Sequence, residues 1–317
     1  MLSTISLFND TDMFQVLLAG SISDATIWMY HLPSKKCLQV FVGHECNGEG
    51  GGVTDGCFTP DGKFAVSIGM DGTMRVWAPK TGVCRHVFKF EEGGGNGEVN
   101  GAGIGLTCLS VNGGLDGQLA IAGCESGSAY VVHLKGKKLV ANLRHFDGPS
   151  APSAGMNVDG SEDEQTMLPS VEAVGFASKI SNLNWAATGG SDGKMKIWDL
   201  THDGGQCRQV CKLDASNSSN PGESGGVTRL LWHPTLPLVF VSYSDGFVRL
   251  WDARDGKLLH TLTGGSNDNQ INDMSIQFVN VEQEGGAALV ATGNDDGTVQ
   301  VYRVEVSTVL RSAMVNR

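Results

Sequence analysis

The side chains of this chain that could do chemistry are few and scattered. His202, Cys207 and Cys211 are residue types that bind zinc, and they lie close together in the sequence. Their spacing falls outside the short ligand pairs of structural zinc sites, and no fourth ligand is evident. Cys207 and Cys211 are expected on one face of a strand, where packing explains them. We therefore predict no metal site.

The sequence also lacks the motifs of nucleotide binding and of nucleophilic catalysis. The glycine-rich stretches Gly50–Gly52 and Gly93–Gly105 have no following Lys-Ser/Thr and no strand-then-helix context, so we interpret them as flexible linkers. No Gly-x-Ser-x-Gly elbow occurs, and the eight histidines are dispersed along the chain. We predict a protein that is not an enzyme and has no cofactor.

The elements that must position any site are set by an internal repeat. A turn followed by a strand returns six times, starting at Asp24, Asp71, Ser126, Asp192, Asp245 and Asp296. The starts are 47, 55, 66, 53 and 51 residues apart, and five of the six units carry an aromatic residue six positions after the start. A period of about 40–50 residues with four short strands is typical of a β-propeller blade. The longer gaps are expected to hold inserted loops.

Each repeat has the pattern of four strands. Apolar and β-branched residues alternate in runs that are bounded by Gly, Asp or Pro, as at 227–234, 237–243 and 257–263. The Asp-Gly pairs suit tight turns because glycine adopts positive φ freely. No long segment shows the 3.6-residue period of a helix.

Composition excludes several classes of function. The chain has 317 residues and a net charge of −11, which disfavours direct binding to nucleic acid or to anionic membranes because both need a basic patch. No apolar stretch approaches the length of a membrane span, and the first twenty residues lack the basic region of a secretory signal. We expect reduced cysteines, a cytoplasmic and also nuclear location, and no membrane insertion.

The repeats resemble the WD-repeat family. Gly43-His44 precedes Ser67, Asp71 and Trp77 in the second unit, and in that family these side chains form a hydrogen-bonded set that ties a blade's leading loop to its inner turn. The third unit departs most, with Ser126 for Asp and Val132 for Trp. The residues to which the resemblance gives this structural role are His44, Ser67, Asp71, Trp77, Thr188, Asp192, Trp198, Asp245, Trp251, Thr292 and Asp296.

The resemblance implies an all-β fold, a WD-repeat β-propeller with six recognisable four-stranded blades in one domain, 1–317. The blades are expected at about 3–42, 53–90, 106–145, 171–213, 227–263 and 271–314, with the segment after Tyr302 as the last outer strand. Rings of this family close with seven or eight blades. A truncated product, a six-unit ring and a ring with a further blade stay open as alternatives.

Three stretches, at 61–66, 171–176 and 245–259, look like angio-associated migratory cell protein and its relatives. More distantly they resemble the fungal WD-repeat chaperone of the large-subunit ribosomal protein L-ten. The insert at 146–170 is acidic and poor in apolar residues, so it is expected to be disordered when free. Its Ser161, next to Glu162-Asp163-Glu164, resembles an acid-directed phosphorylation site, although the sequence signal is weak.

The topology of that family assigns the loops to two faces, called top and bottom. The top-face connections at 45–52, 91–105, 146–170, 214–226 and 265–270 contain no Lys or Arg. Their thirteen carboxylates are Glu45, Glu49, Glu91, Glu92, Glu98, Asp147, Asp159, Glu162, Asp163, Glu164, Asp214, Glu223 and Asp268. The bottom turns instead collect Lys35, Lys36, Lys63, Lys80, Lys135, Lys137, Lys138, Arg254 and Lys257. The pattern predicts a negative top face, although acidic loops on an acidic protein would also explain it.

A negative rim favours a basic protein partner. The family pattern places the specific contacts at Asp55, Met70, Glu125, Glu172, Arg229, Asp273 and Asp295. We expect a monomeric, non-catalytic platform that binds a basic segment, with a ribosomal protein as the candidate client and a role in ribosome large-subunit assembly. The alternative is a signalling or trafficking scaffold linked to cell migration.

Overall fold

The computed structural model describes residues 2–10, 14–46, 51–90, 104–113, 118–146, 169–178, 183–202, 204–213, 225–262, 269–281 and 285–315. Over these ranges the fold is all-β, with one short helix after the last strand. No described helix has the length and apolarity that a membrane crossing requires.

The strands form six antiparallel sheets, each built from consecutive strands of the chain. Blade one contains β1 (Leu2–Asp10), β2 (Phe14–Ser21), β3 (Thr26–His31) and β4 (Lys36–Val42). Blade two contains β5 (Val53–Phe58), β6 (Ala65–Gly69), β7 (Thr73–Trp77) and β8 (Cys84–Lys89). Blade three contains β9 (Leu106–Gly113), β10 (Gln118–Cys124), β11 (Ser128–His133) and β12 (Lys138–Arg144).

The second half of the chain repeats this arrangement. Blade four contains β13 (Val171–Phe176), β14 (Trp185–Gly190), β15 (Met195–Asp199) and β16 (Gln206–Cys211). Blade five contains β17 (Val227–Trp232), β18 (Leu238–Tyr243), β19 (Val248–Asp252) and β20 (Lys257–Leu262). Blade six has three strands, β21 (Ile271–Val279), β22 (Ala287–Asn294) and β23 (Val299–Glu305), followed by α1 (Val306–Val315).

The hydrophobic core is divided among the blade interfaces. Five buried clusters are found, and each contains residues of two neighbouring blades, from blades one and two to blades five and six. The first strands β5, β9, β13, β17 and β21 each contact the first strand of the preceding blade, so these strands line the centre. Since each blade packs on its neighbours, the order of the blades in space follows their order in the sequence.

The described blades form an arc rather than a closed ring. The first strands β1 and β21 make no contact comparable to those between successive blades. A Cβ added at Gly189 in blade four would lie 2.3 Å from Cγ1 of Val227 in blade five, whereas one added at the equivalent Gly293 in blade six would meet nothing within 4 Å. The face of blade six that points away from blade five is therefore not covered by another described blade. Its edge strand β23 exposes Val299 and Val301.

Two β-bulges recur at fixed places in the blades. One lies near the start of the first strand, at Thr54, Thr107, Glu172, Thr228 and Asn272. The other lies in each outer strand, at Leu38, Arg85, Val140, Arg208 and Leu259. A bulge changes the face to which the following side chains point, so simple alternation does not predict orientation beyond it.

The prediction that the segment after Tyr302 forms the outer strand of blade six is wrong. Residues 306–315 form α1, and Val306, Val309 and Leu310 join the cluster between blades five and six. Apolar side chains three and four positions apart form one helical face, which this short segment carries. The helix therefore completes the core of blade six without pairing with β23.

Candidate functional site

The hydrogen-bonded set of blade two is complete. His44 contacts Asp71 through Nδ1 at 3.0 Å and Ser67 through Nε2 at 2.7 Å, and Trp77 donates from Nε1 to the same Ser67 hydroxyl at 2.8 Å. Asp71 also accepts from the backbone of Glu45, at 3.0 Å, and of Thr73, at 3.0 Å. The set ties the loop before β5 to the β6–β7 turn.

Asp71 is held ionised by this environment. Burial alone would raise its pKa, but hydrogen bonds from His44, Glu45 and Thr73, together with the charge of His44, lower the pKa to about 2. Its side chain is only 4% exposed. The carboxylate is thus engaged within the protein, which leaves it a structural role rather than one in partner binding.

Blade four forms the same set around a histidine that the sequence analysis did not assign. His145 contacts Thr188 at 2.7 Å through Nδ1 and Asp192 at 3.4 Å through Nε2, while Trp198 donates to Thr188 at 2.9 Å. His145 lacks the preceding glycine that marks His44, so the Gly-His pattern missed it. Its position could have identified it, because His44 and His145 both lie just beyond the end of an outer strand.

Blades five and six keep the turn aspartate without the rest of the set. Asp245 pairs with Arg249 at 2.6 Å, and no hydrogen-bond partner of the Trp251 indole is found among the described residues. Asp296 is exposed and bonds Thr298 and Asn269. The buried hydroxyl of Thr292 likewise has no partner in the described part of the chain. Neither blade therefore contains the complete polar set within the described residues.

The remaining predicted residues lie around the top ends of the first strands. Asp55 is half-buried, and its carboxylate accepts from Gly56 N at 2.7 Å and from Leu109 N at 2.9 Å. The second bond crosses from blade two to blade three. Asp55 thus contributes to the blade interface as well as to the charge of the face.

Met70 and Glu125 lie side by side over Gly105. A Cβ added at Gly105 would come within 2.6 Å of both Met70 Cε and Glu125 Oε2. Both side chains take the space that this glycine leaves open, and Glu125 is exposed. An apolar contact and a carboxylate are therefore adjacent at the start of β9.

Glu172 is an exposed residue at the bulge of β13, and Ser170 donates to its carboxylate. Burial raises the pKa of the Cys108 thiol to about 12, and the charges of Asp55 and Glu172 both contribute. Both carboxylates therefore act on one point between blades two and four. We call Asp55, Met70, Glu125 and Glu172 the acidic cluster.

Arg229 and Asp273 pair with each other. Arg229 Nε is 3.2 Å from Asp273 Oδ1, across the interface of blades five and six. Desolvation raises the pKa of Cys57, the charge of Asp55 raises it further, and that of Arg229 lowers it, so the charges of Asp55 and Arg229 both act on the Cys57 thiol. Asp295 is exposed, with its backbone N–H bonded to Gln270. Exposed carboxylates thus lie over blades three and four, at Glu125 and Glu172, and over blade six, at Asp273 and Asp295.

Of the thirteen carboxylates of the top connections, only Glu45 lies in the described residues. The other twelve, and the insert with Ser161, lie outside them. The residues that flank these connections, such as Phe90, Ile104 and Phe146, are described and lie at the top ends of their strands.

The prediction that Cys207 and Cys211 share one face of a strand is wrong. The bulge at Arg208 pairs Cys207 with Trp198 and Cys211 with Met195, which places the two thiols on opposite faces of β16. Cys207 is exposed and Cys211 is buried. Within the described ranges, no group of three potential ligands is positioned to hold a metal ion.

Comparison with known proteins agrees with this repeat geometry. The family model "WD domain, G-beta repeat" matches residues 35–78, which include the polar set of blade two, and 173–199, which include Thr188, Asp192 and Trp198 of blade four. The model "Anaphase-promoting complex subunit 4 WD40 domain" matches residues 194–282. This chain is a WD40-repeat protein.

The WD40-repeat chain is 33% identical over 290 residues to human angio-associated migratory cell protein, covering 92% of the chain and 56% of that protein. It is 26% identical over 257 residues to a "Ribosome biogenesis protein BOP1 homolog" of Chlamydomonas reinhardtii, covering 78% of the chain and 28% of that protein. It therefore spans little more than half the length of the first of these relatives.

Among solved structures, the computationally designed Ika8 protein matches with a TM-score of 0.60 at 20% identity, covering 97% of this chain and 72% of that one. At this identity the likeness concerns the fold alone. The WD40 blades thus provide a rigid frame whose top edge presents side chains from several strands at once.

Proposed function

We propose that this WD40-repeat protein is a non-catalytic, monomeric platform whose top face captures a basic protein segment. The observation that carries the proposal is the acidic cluster, in which three carboxylates from blades two, three and four converge around the start of β9 with Met70 among them. A basic chain laid across this edge would meet three carboxylates and one apolar side chain, Met70.

The chemistry of the cluster favours arginine and lysine as the groups bound. Glu125 and Glu172 are exposed carboxylates, and each can accept a forked pair of hydrogen bonds from a guanidinium. Met70 is unbranched and polarizable, so it can adapt to the aliphatic stem of a long basic side chain. The net charge of −11 adds long-range attraction, which raises the rate of encounter and weakens with salt.

The finer proposal is that the platform acts in the cytoplasm as a dedicated chaperone in assembly of the large ribosomal subunit, reaching the nucleus with its client. A free ribosomal protein is strongly basic and binds RNA non-specifically, so neutralising it until it is installed is a task that an acidic face can perform. The similarity to a protein named for ribosome biogenesis favours this role. The resemblance of the sequence to a fungal chaperone points to the L-ten protein as client.

The second candidate is a scaffold for signalling or trafficking proteins in cell migration. The 33% identity to angio-associated migratory cell protein over 92% of the chain favours it. The two roles differ in the number of clients, because a chaperone binds one basic protein whereas a scaffold binds several proteins.

The test is a titration of the protein with a labelled peptide of the basic N-terminal segment of the L-ten ribosomal protein. Wild type is compared with Glu125→Lys plus Glu172→Lys at low and moderate salt. The matched control is Asp255→Lys plus Glu305→Lys, which makes the same change in net charge at the bottom ends of blades five and six. Circular dichroism and thermal melting show that each variant is folded.

The chaperone proposal expects salt-sensitive binding that falls by at least about a hundredfold in the cluster variant and by less than about threefold in the control. Equal losses in the two variants would mean that net charge alone matters and would reject the site. Absence of binding by folded wild type would reject this client and favour the scaffold.

A further inference from the structure

A second concave site lies on the opposite, bottom face of the protein. It is a cavity of about 980 Å³ formed by the β5–β6 turn, the ends of β9 and β13, the β11–β12 turn and the start of β8. It runs from the outer strand of blade two to the inner strand of blade four. None of the top-face residues lines it, so it is separate from the site proposed above.

The rim of this cavity is basic on a protein that is acidic as a whole. Lys63, Arg85, Lys135 and Lys137 line it, and Asp61 is the acidic residue among its lining side chains. Lys63 is paired with Asp61 at 3.1 Å. No described carboxylate lies within ion-pair distance of Arg85, Lys135 or Lys137. We call this site the basic pocket.

Asp61 does not cancel the positive charge of the other three cations. Its carboxylate accepts from the Thr59 hydroxyl at 2.7 Å and from Lys63 N at 3.2 Å. Burial raises its pKa, but these bonds, with others from the Lys63 ammonium and from Gln118, together outweigh burial and lower the pKa to about 2. The carboxylate is thus occupied in holding the β5–β6 turn.

The floor of the basic pocket is apolar. Phe64, Val111 and Phe176 are half-buried and line the cavity, with the buried Val76 and Leu134 beneath them. A cavity whose apolar floor has a few converging charges is the general form of a ligand site.

One histidine of the lining adds aromatic surface. His86 makes an edge contact with Phe88, with ring centroids 4.5 Å apart. Burial and the nearby charge of Lys137 lower its pKa, so at neutral pH its ring is uncharged.

The position of Arg85 is fixed by the fold. It is the bulged residue of the outer strand β8, paired with neither Val76 nor Trp77 of β7. A bulge changes the direction of a side chain without interrupting the sheet, and Arg85 lies at the rim of the cavity. The equivalent bulges of blades one and three carry Leu38 and Val140, so only some blades have a cation at this point.

We propose that the basic pocket binds an acidic peptide segment that inserts an aromatic or large aliphatic side chain against Phe64, Val111 and Phe176. Charge complementarity selects the class of partner, because the three cations, which have no ion-pair partner among the described carboxylates, attract carboxylates, while the apolar floor favours an inserted side chain. A single-stranded nucleic acid could use the cations and stack bases on Phe64 and Phe176, but it carries a charge on every phosphate, which the net charge of −11 repels more strongly than a few carboxylates. The protein would then hold a basic segment above and an acidic one below.

The test uses a displayed library of random twelve-residue peptides, selected on the full chain and depleted on the folded variant Arg85→Glu plus Lys135→Glu. The matched control is Lys36→Glu plus Lys257→Glu, two exposed lysines at the bottom ends of other blades. The expected result is a set of net-acidic peptides with a recurring aromatic or aliphatic residue. Their affinity should fall at least about tenfold in the pocket variant and less than about twofold in the control.

Two results would overturn the proposal. One is a depleted selection that leaves no enriched peptides, or leaves peptides without acidic and apolar residues. The other is binding of twelve-nucleotide polyuridine that the pocket variant abolishes, which would reassign the cations to nucleic acid. Replacing the recurring apolar residue of a selected peptide by serine should weaken binding at least about tenfold, and an unchanged affinity would contradict the role of the floor.

Discussion

The polar set of blade four allows a sharp test because blade six contains its matched control. In Thr188→Val the shape of the side chain is kept, but His145 Nδ1 and the Trp198 indole N–H lose their shared partner. Thr188 and His145 are essentially inaccessible to solvent, so water cannot replace it. A buried polar group left unsatisfied costs about 1–3 kcal/mol, so two of them predict a loss of about 2–6 kcal/mol.

The control is Thr292→Val at the equivalent position of blade six. Thr292 is equally buried, but its hydroxyl has no partner among the described residues, so its removal should change stability by less than about 1 kcal/mol. Both variants are unfolded in urea, with tryptophan fluorescence as the signal and the midpoint and slope compared with wild type. If Thr188→Val costs no more than Thr292→Val, the polar set does not stabilise the blade and the reasoning fails.

Three further predictions follow from the described contacts. Asp71 has a pKa of about 2 when folded against 3.8 as its ordinary value, so its contribution of about 2 kcal/mol to the unfolding free energy is present above pH 4 and is lost as the pH falls through 2. In acid titration over this range the unfolding free energy of Asp71→Asn should fall less than that of wild type, and an identical fall would contradict the prediction. Thr54→Val removes a 2.6 Å bond to the carbonyl of Leu106 across blades two and three, so its unfolding free energy should drop by about 1 kcal/mol in urea titration. Gly189→Ala forces a Cβ against Val227 and should lower stability by about 1–3 kcal/mol or more in thermal melting, whereas Gly293→Ala, which meets nothing, should be neutral; equal effects would show that blade six is also covered.

The repeat could be predicted from the sequence because it depends on local features, the turn residues and the alternation of apolar and polar side chains. Asp-Gly turns require a residue with positive φ, and Gly72, Gly193, Gly246 and Gly297 all have φ between 69° and 83°. Alternation then set the buried faces of the strands, which stack into the interface clusters. Such features depend on neighbours a few residues away, so a single sequence is sufficient to find them.

Orientation beyond a bulge could not be predicted in this way. The bulge of β16 separated Cys207 from Cys211. Glu172 is itself the bulged residue of β13, whereas Asp55 and Arg229 follow the bulges at Thr54 and Thr228 and so lie one position later in their strands. A bulge depends on how two strands pair, which the pattern of one strand does not contain.

The helix α1 was missed for a related reason. Its apolar positions also suit a strand, and contact with blade five decided between the two. The pairing of Arg229 with Asp273 was hidden because each residue, taken alone, has the features of an exposed charge.

The linear stacking of blades has a consequence for how the molecule comes apart. Each inner blade is stabilised by its own sheet and by one interface on either side, so unfolding should follow nearest-neighbour, one-dimensional behaviour. Blade six has one covered face, three strands and no polar set, so it should open first, at a free energy below that of global unfolding. Blades two to four are flanked on both sides and contain both complete sets. The acidic cluster and the basic pocket both lie on that stretch, so each should remain formed while the end blade frays.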